Sequence, residues 1–191
     1  TSIGEWSFYQ CSALTRIHIP KETISIGDDA FSGCTGLTSV TIPDSVTSIG
    51  EGAFTCCSNL ASVTLGSGLK SIGDCAFYGC EFLASVVIPN SVTTVGDAFR
   101  DCSSLASVKL SSAMTSVSAY AFSGCKNLSK IPWGSKIQSI GDCAFSGCGS
   151  LTSVTLPNSV QTIGESAFGY CWSLKSFDTG SGVTSIGANA F

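Results

Sequence analysis

Cysteine is the reactive residue with the most regular spacing in this chain of 191 residues. Thiolates can ligate zinc, pair as disulfides or act as nucleophiles. A zinc site is disfavoured because the chain has no Cys-x-x-Cys pair and only one histidine. Side chains that repeat in parallel are also poorly oriented for a disulfide. The spacing therefore favours a buried column of free thiols that binds no metal. Eight of the eleven cysteines form it, in steps of 23 residues with one step of 22: Cys11, Cys34, Cys57, Cys80, Cys102, Cys125, Cys148 and Cys171.

The remaining three cysteines, Cys56, Cys75 and Cys143, lie outside this column. Cys75 and Cys143 occupy the position before an Ala-Phe pair, where equivalent segments hold Trp, Asp, Gly, Tyr, Ser or Asn. Such variation predicts an exposed position. Neither thiol has an obvious general base, so catalysis by these residues is disfavoured. The sequence leaves open whether all three are free thiols.

Carboxylates form a second column, which follows the recurring Ile-Gly pair in most segments. Paired carboxylates can perform acid–base chemistry or bind calcium. A single simpler cause explains the whole column: each residue would cap a short helical turn by accepting backbone N–H bonds. With one histidine and no Ser-His-Asp spacing, no catalytic triad can be drawn, and we expect neither enzymatic activity nor a cofactor. The column contains Glu5, Asp28, Glu51, Asp74, Asp97, Asp142 and Glu165.

Both columns are positioned by a repeat that runs through the whole chain as I-G-x-x-A-F-x-x-C-x-x-L-x-x-V-x-I-P. A fixed period of 23 residues is typical of a solenoid, in which each unit stacks on its neighbours. Residues 1–191 are predicted to form one domain of eight nearly complete repeats and a partial ninth. Every repeat carries a phenylalanine at the same position, which predicts a close-packed column in the interior.

One repeat contains two short strands and a turn. Leu37–Ile42 alternates apolar and hydroxyl side chains, so Val40 and Ile42 are predicted to point inward from a first strand. A second strand is predicted at Val46–Ile49, and Glu51–Phe54 is predicted to form one helical or 3₁₀ turn. The missing residue of the 22-residue step lies between Asp97 and Ala98, where we expect a local irregularity without a domain boundary.

Charge and hydropathy disfavour two classes of partner. The net charge is −4, and nine Lys and Arg residues are scattered along the chain. Because these few cations cannot form a continuous basic surface that neutralises phosphates, we expect no nucleic-acid partner. No stretch approaches the ~20 apolar residues that span a bilayer, so no membrane insertion is expected.

The chain starts and stops within a repeat and has no polar capping unit. Because solenoids need caps over their terminal apolar faces, we interpret the chain as a fragment of a longer protein. Exposed terminal repeats could also stack end to end and produce self-association.

The repeat resembles the BspA-type, or treponemal, class of leucine-rich repeat. The full pattern is present from Cys34 to Phe54 and from Cys148 to Phe168. The resemblance implies a curved right-handed leucine-rich-repeat solenoid whose first strands form a parallel sheet on the concave face. It also implies a cell-surface or secreted protein that adheres to host matrix or cell-surface proteins.

A binding site is expected among the outward residues of the first strand, because most are Ser or Thr and the departures are therefore informative. Trp133 replaces an expected Ile or Leu, and it either contributes to a binding site beside lysines or fills a looser core. His18 is expected to be an exposed strand residue. The candidate site comprises Arg16, His18, Val87, Lys109, Lys130, Trp133, Lys175 and Asp178.

Two functions remain open from the sequence. One is an adhesion module that recognises a protein ligand through the concave sheet. The other is a structural spacer without a ligand of its own, which the near identity of the repeats favours.

Overall fold

The chain forms a β-solenoid in which each repeat contributes one turn of the spiral. The computed structural model describes all 191 residues. The first strand of a repeat has three residues: β3 (Ser39–Thr41), β5 (Ser62–Thr64), β7 (Ser85–Val87), β8 (Ser107–Lys109), β11 (Ser153–Thr155) and β13 (Ser176–Asp178). The second strand has two residues: β1 (Ser2–Ile3), β2 (Ser25–Ile26), β4 (Ser48–Ile49), β6 (Ser71–Ile72), β9 (Ser116–Val117), β10 (Ser139–Ile140), β12 (Thr162–Ile163) and β14 (Ser185–Ile186).

Every strand pairs in parallel with the equivalent strand of at least one neighbouring repeat. The second strands form two four-stranded sheets, β1-β2-β4-β6 and β9-β10-β12-β14. The first strands pair two by two, as β3 with β5, β7 with β8 and β11 with β13. The register places identical repeat positions opposite each other, for example Val40 opposite Val63. The predicted solenoid of parallel strands is confirmed.

Side chains alternate between the interior and solvent as the sequence predicts. In the first strand Val40 is buried while Ser39 and Thr41 are exposed. Ile42, Val46 and Ile49 are also buried, so both predicted strands direct their apolar residues inward. The buried apolar residues of all repeats form one cluster of 50 side chains.

Phenylalanine rings form a continuous stack through the interior. Consecutive rings from Phe8 to Phe191 have centroids 5.0 to 6.1 Å apart and planes within 11° of parallel. Small alanine side chains such as Ala53 and Ala76 are fully buried beside them. This stack connects every pair of neighbouring repeats without interruption.

The predicted helical or 3₁₀ turns are absent, and successive tight turns replace them. The position before Ala-Phe has a left-handed backbone, for example φ 50° at Asp29, 54° at Cys75 and 51° at Ser166. A left-handed residue cannot continue a right-handed helix. Its N–H instead bonds to the next repeat, as from Asp29 to the Glu51 carbonyl at 2.8 Å. Hydrogen bonding between repeats therefore determines the turn.

The glycine of the Ile-Gly pair is required by close approach of neighbouring repeats. A Cβ atom on Gly141 would lie 2.5 Å from the backbone nitrogen of Ala119, a distance that real side chains do not tolerate. Ser118 is the one residue that replaces this glycine, and its repeat stacks on the shortened one. The backbone of the shortened repeat follows a different path, with Gly96 in the left-handed region at φ 53°.

The missing residue interrupts the second-strand sheet, and a carboxylate replaces one backbone acceptor that is lost there. Residues 94–95 form no strand between β6 and β9. The N–H of Cys75 would ordinarily bond to a main-chain carbonyl of the next repeat, but it donates to Asp97 Oδ1 at 2.7 Å. The phenylalanine stack continues across this point at 5.4 and 5.7 Å. The predicted local irregularity is confirmed.

Removing this carboxylate is expected to destabilise the protein. Asp97→Ala leaves the N–H of half-buried Cys75 without an acceptor, which costs about 1–3 kcal/mol of unfolding free energy. Urea denaturation measures the loss. Asp74→Ala is the matched control, because Asp74 lies in the same column but accepts no backbone hydrogen bond. In that column only Asp28, Asp97 and Asp142 accept one. Equal stability of the two variants would contradict a stabilising hydrogen bond between the Cys75 N–H and Asp97.

A second interruption lies in the first strands, one repeat further along the chain. Residues 128–134 form no strand between β8 and β11. Pro132 occupies the strand position that Thr41 or Lys109 holds elsewhere, and a proline has no N–H to donate to the ladder. The two breaks lie at neighbouring steps of the solenoid. Where the second strand is missing β7 still pairs with β8, and where the first strand is missing β9 still pairs with β10, so each step keeps one sheet together with the turns and the phenylalanine stack.

Candidate functional site

The outward side chains of the first strands lie along one side of the solenoid and form a surface that we call the strand face. It consists of two columns that contain Ser39 and Thr41 and their equivalents in the other repeats. In each first strand the first and third residues are exposed and the middle residue points inward. The strands therefore present side chains at the fixed spacing of a parallel sheet, ~4.8 Å between neighbours.

Three predicted site residues are ordered on paired strands. Val87 and Lys109 are direct partners in the register of β7 and β8, and Val87 is 58% exposed. Asp178 pairs with Thr155 between β11 and β13. Lys175 precedes β13, and its N–H donates to the Thr152 carbonyl at 2.9 Å. These side chains are exposed on a backbone that neighbouring repeats hold in place.

Lys130 and Trp133 lie in the repeat without a first strand. Lys130 is exposed, whereas Trp133 is half-buried. The Trp133 ring packs edge-on against Phe145 with centroids 5.5 Å apart. This contact favours the packing role over the binding role for Trp133. Lys130 stays a candidate on sequence grounds, one repeat after Lys109.

Arg16 and His18 belong to a repeat whose equivalent residues form no strand. Both side chains are exposed. His18 borders a shallow groove with Pro20, Glu22 and Thr41. The expectation that His18 lies in a strand is wrong, although its exposure is as predicted.

The cysteine column forms a ladder of sulfur hydrogen bonds in the interior. Each thiol from Cys34 onward donates to the carbonyl of the phenylalanine in the preceding repeat, with Sγ to oxygen distances of 3.1 to 3.3 Å. Burial raises the pKa of Cys57 and Cys102 to about 12. All eleven cysteines are free. The predicted column of buried thiols is confirmed, with Cys11 exposed and Cys171 half-buried at its two ends.

The prediction of an exposed position is wrong for Cys75 and Cys143, which are half-buried. Cys75 Sγ lies 3.4 Å from Asp97 Oδ2, and burial together with this carboxylate raises the pKa of Cys75 to about 11. A raised pKa leaves little thiolate at neutral pH, so Cys75 is a poor nucleophile. Cys56 is exposed, with a left-handed backbone at φ 55°.

The carboxylate column does not cap helical turns, because those turns are absent. Asp28 Oδ1 accepts the N–H of Glu51 at 2.8 Å, and Asp142 Oδ1 accepts the N–H of Glu165 at 2.8 Å. Both bonds run to the same position of the next repeat. These two carboxylates therefore link neighbouring repeats. No group of three or more His, Cys, Asp or Glu side chains is arranged to hold a metal ion.

A further set of surface residues was missed by the sequence reasoning. It lies on the turn edge, which we define as the residues from the glycine of Ile-Gly to the leucine of C-x-x-L in each repeat, for example residues 50–60. There the Arg100 guanidinium carbon lies 5.8 Å from the Tyr78 ring centroid and 5.2 Å from that of Tyr120. Arg100 Nε also lies 3.7 Å from Asp101 Oδ2. Its sequence signal was the change from Ser, Thr or Gly to Tyr and Arg beside the phenylalanine column.

The sequence is similar to a known repeat family along its whole length. Residues 1–98 and 96–191 each match a family described as the BspA type leucine-rich repeat region, whose model contains six copies of the repeat. The comparison with curated proteins gives no match. No helix of the chain has the length and apolar character that crossing a membrane requires.

Three solved structures are similar to this one. A leucine-rich repeat protein of Eubacterium ventriosum has a TM-score of 0.80 and 28% identity, and the chain aligns over 100% of its own length and 61% of that protein. One of Bacteroides ovatus has a TM-score of 0.60 and 26% identity, with 100% and 67% covered. The leucine-rich repeat protein TpLRR of T. pallidum has a TM-score of 0.60 and 27% identity, with 91% and 71% covered.

Proposed function

This chain belongs to the family of BspA-type leucine-rich repeat proteins, and from that membership we propose that it is a protein-binding module. The proposed site is the strand face, and the proposed location is the cell surface or the extracellular space. The partner is a protein of the host matrix or of another cell surface. Catalysis has no part in this function.

The observation that supports the proposal most is the arrangement of exposed side chains on the strand face. Hydroxyl side chains such as Ser62 and Thr64 provide a regular hydrogen-bonding background on paired strands. Val87 and Lys109, paired in register, and Lys130 in the following repeat interrupt this background. Binding sites need such local differences, because a few residues contribute most of the affinity in protein interfaces.

The test is a binding screen of this chain against extracellular-matrix and cell-surface proteins. Lys109→Glu/Lys130→Glu is expected to weaken binding at least about tenfold, since each reversal removes an attraction and introduces a repulsion. Lys70→Glu/Lys126→Glu is the matched control, because it makes the same change of charge at exposed residues outside the strand face. Equal loss in both variants, or no loss in either, would refute a site on the strand face.

A spacer without a ligand is the second candidate function. The uniform ring spacing along the phenylalanine stack favours it, because such regularity suits a rigid connector. An absence of binding throughout the screen would favour this alternative.

A further inference from the structure

We propose that the turn edge is a second interaction surface, which binds lysine and arginine side chains of a partner protein. This surface is separate from the strand face, and the proposal does not depend on the function assigned to that face. Three observations carry it: the position of the aromatic side chains, the distribution of charge, and an internal example of the binding mode.

Tyrosine and tryptophan are concentrated on the turn edge. Six of the seven Tyr and Trp residues lie there, and Trp133 is the exception. Several are well exposed, with Trp6 at 60%, Tyr170 at 65% and Trp172 at 82%. Tyr and Trp are the residues most enriched at the centres of protein interfaces, where a rigid ring provides a large contact area.

Stability does not explain why these rings occupy their positions. Trp6, Tyr120 and Tyr170 have left-handed backbones with φ of 56°, 58° and 58°, a conformation that bulky residues disfavour. Other repeats place Gly52 or Asn189 at the position of Trp6 and Tyr120, and Gly33 or Gly79 at the position of Tyr170. These residues adopt the left-handed backbone readily. Tyr120 contacts Arg100 of the same chain, but Trp6 and Tyr170 are strained, largely exposed and gain little from burial within their own chain. A contact with another molecule is the simplest reason for these two rings.

Charge is segregated between the two sides of the solenoid. The turn edge carries ten of the thirteen acidic residues and two of the nine basic ones. The remaining surface, which includes the strand face, carries three acidic and seven basic residues. Carboxylates of this edge, such as Glu5 and Glu165, are exposed. A partner with lysine or arginine side chains is electrostatically complementary to this edge and not to the strand face.

Arg100 shows how such a side chain is held. Its guanidinium lies over the rings of Tyr78 and Tyr120 and beside the carboxylate of Asp101. This arrangement combines a cation–π contact with an ion pair. The same kinds of group occur without an internal cation at Trp6 and Tyr9 beside Asp29, which together border a shallow depression. Tyr170 and Trp172 form another ring pair, with centroids 5.5 Å apart.

The experiment measures binding of a fluorescein-labelled octa-arginine peptide by fluorescence anisotropy at about 50 mM salt. Trp6→Asn/Tyr170→Asn is expected to weaken binding about tenfold, because two cation–π contacts are lost without a change of charge. Its melting temperature is expected to be equal or higher, since Asn tolerates the left-handed backbone. Unchanged affinity, a lower melting temperature, or no binding of the peptide to the unaltered chain would each overturn the proposal.

A pair of arginine variants separates a specific site from general attraction. Arg100→Gln empties the slot between Tyr78 and Tyr120 and is expected to strengthen peptide binding about threefold. Arg16→Gln makes the same change of charge on the strand side and is expected to leave the affinity unchanged. Lys109→Glu/Lys130→Glu is also expected to leave it unchanged. Gains in all three variants that increase with the change of net charge would mean attraction by net charge alone and would overturn the proposal.

Discussion

Raising the pH from about 8 to about 10.5 is expected to unfold this protein, because the thiol ladder must stay protonated inside the solenoid. Burial raises the pKa of Cys57 and Cys102 from the usual 9.0 to about 12, and it also raises the pKa of Cys80, Cys125 and Cys148. In the unfolded chain these thiols lose their protons near their ordinary pKa. The folded state therefore has its full stability below about pH 9 and loses it progressively towards about pH 12.

The size of this effect follows from the number of thiols. At about pH 10.5, a thiol with a folded pKa near 12 loses about 2 kcal/mol of stabilisation relative to the unfolded chain. Cys57 and Cys102 together account for about 4 kcal/mol, and the raised pKa of Cys80, Cys125 and Cys148 adds to this loss. The whole stability of an ordinary domain is only about 5–15 kcal/mol.

Circular dichroism and thiolate absorbance, followed together from about pH 8 to about pH 11.5, measure this transition. The two signals are expected to change together, because a ladder thiol ionises only when the chain opens. Cys102→Ala is the control variant, because the pKa of Cys102 is raised to about 12. It is less stable at neutral pH but loses about 2 kcal/mol less between about pH 8 and about pH 10.5. A chain that stays folded and keeps its stability at about pH 11 would contradict the role of the buried thiols.

Truncating a central ring, in Phe122→Ala, is expected to destabilise the protein by about 3–5 kcal/mol. Phe122 is fully buried and stacks on Phe99 and Phe145 with centroids 5.7 and 5.6 Å apart. The new cavity cannot close easily, because the hydrogen-bonded turns on both sides hold the neighbouring repeats at a fixed distance.

The position of Phe122 adds a second effect. One of the two sheets is interrupted on each side of Phe122, the second strands towards Phe99 and the first strands towards Phe145. The ring stack therefore carries a larger share of the coupling between the two halves there. In a solenoid, stability is a sum of repeat and interface terms. Weakening this interface is expected to split a single urea transition into two.

Phe8→Ala is the matched control for this prediction. Phe8 is half-buried and stacks on a single neighbour, Phe31, at 5.0 Å. Its removal is expected to cost less than half as much and to leave a single transition. Urea denaturation of both variants, followed by circular dichroism, makes the comparison. Equal losses of unfolding free energy in the two variants would show that the coupling between the two halves does not depend on the ring stack.

The columns of the interior could be predicted from the sequence because they depend only on the period. A residue type that recurs every 23 positions must recur at the same place in every stacked repeat. Phe54 and Cys57 are therefore buried for the same reason in each copy, and the inward direction of Val40 and Ile42 follows from strand alternation. The strand face, with Lys109 and Asp178 outward, followed from the same argument.

The conformation of the turns and the chemistry of the turn edge were decided by the tertiary structure. Residues as different as Trp6, Asp29 and Ser166 share a left-handed backbone against their own preferences, because the next repeat requires their N–H groups as donors. Asp97 replaces a missing carbonyl, and Trp133 packs on Phe145, only because neighbouring repeats bring these groups together. Periodicity in the sequence thus determined which residues are inside, while hydrogen bonding between repeats determined how the outer turns present their side chains.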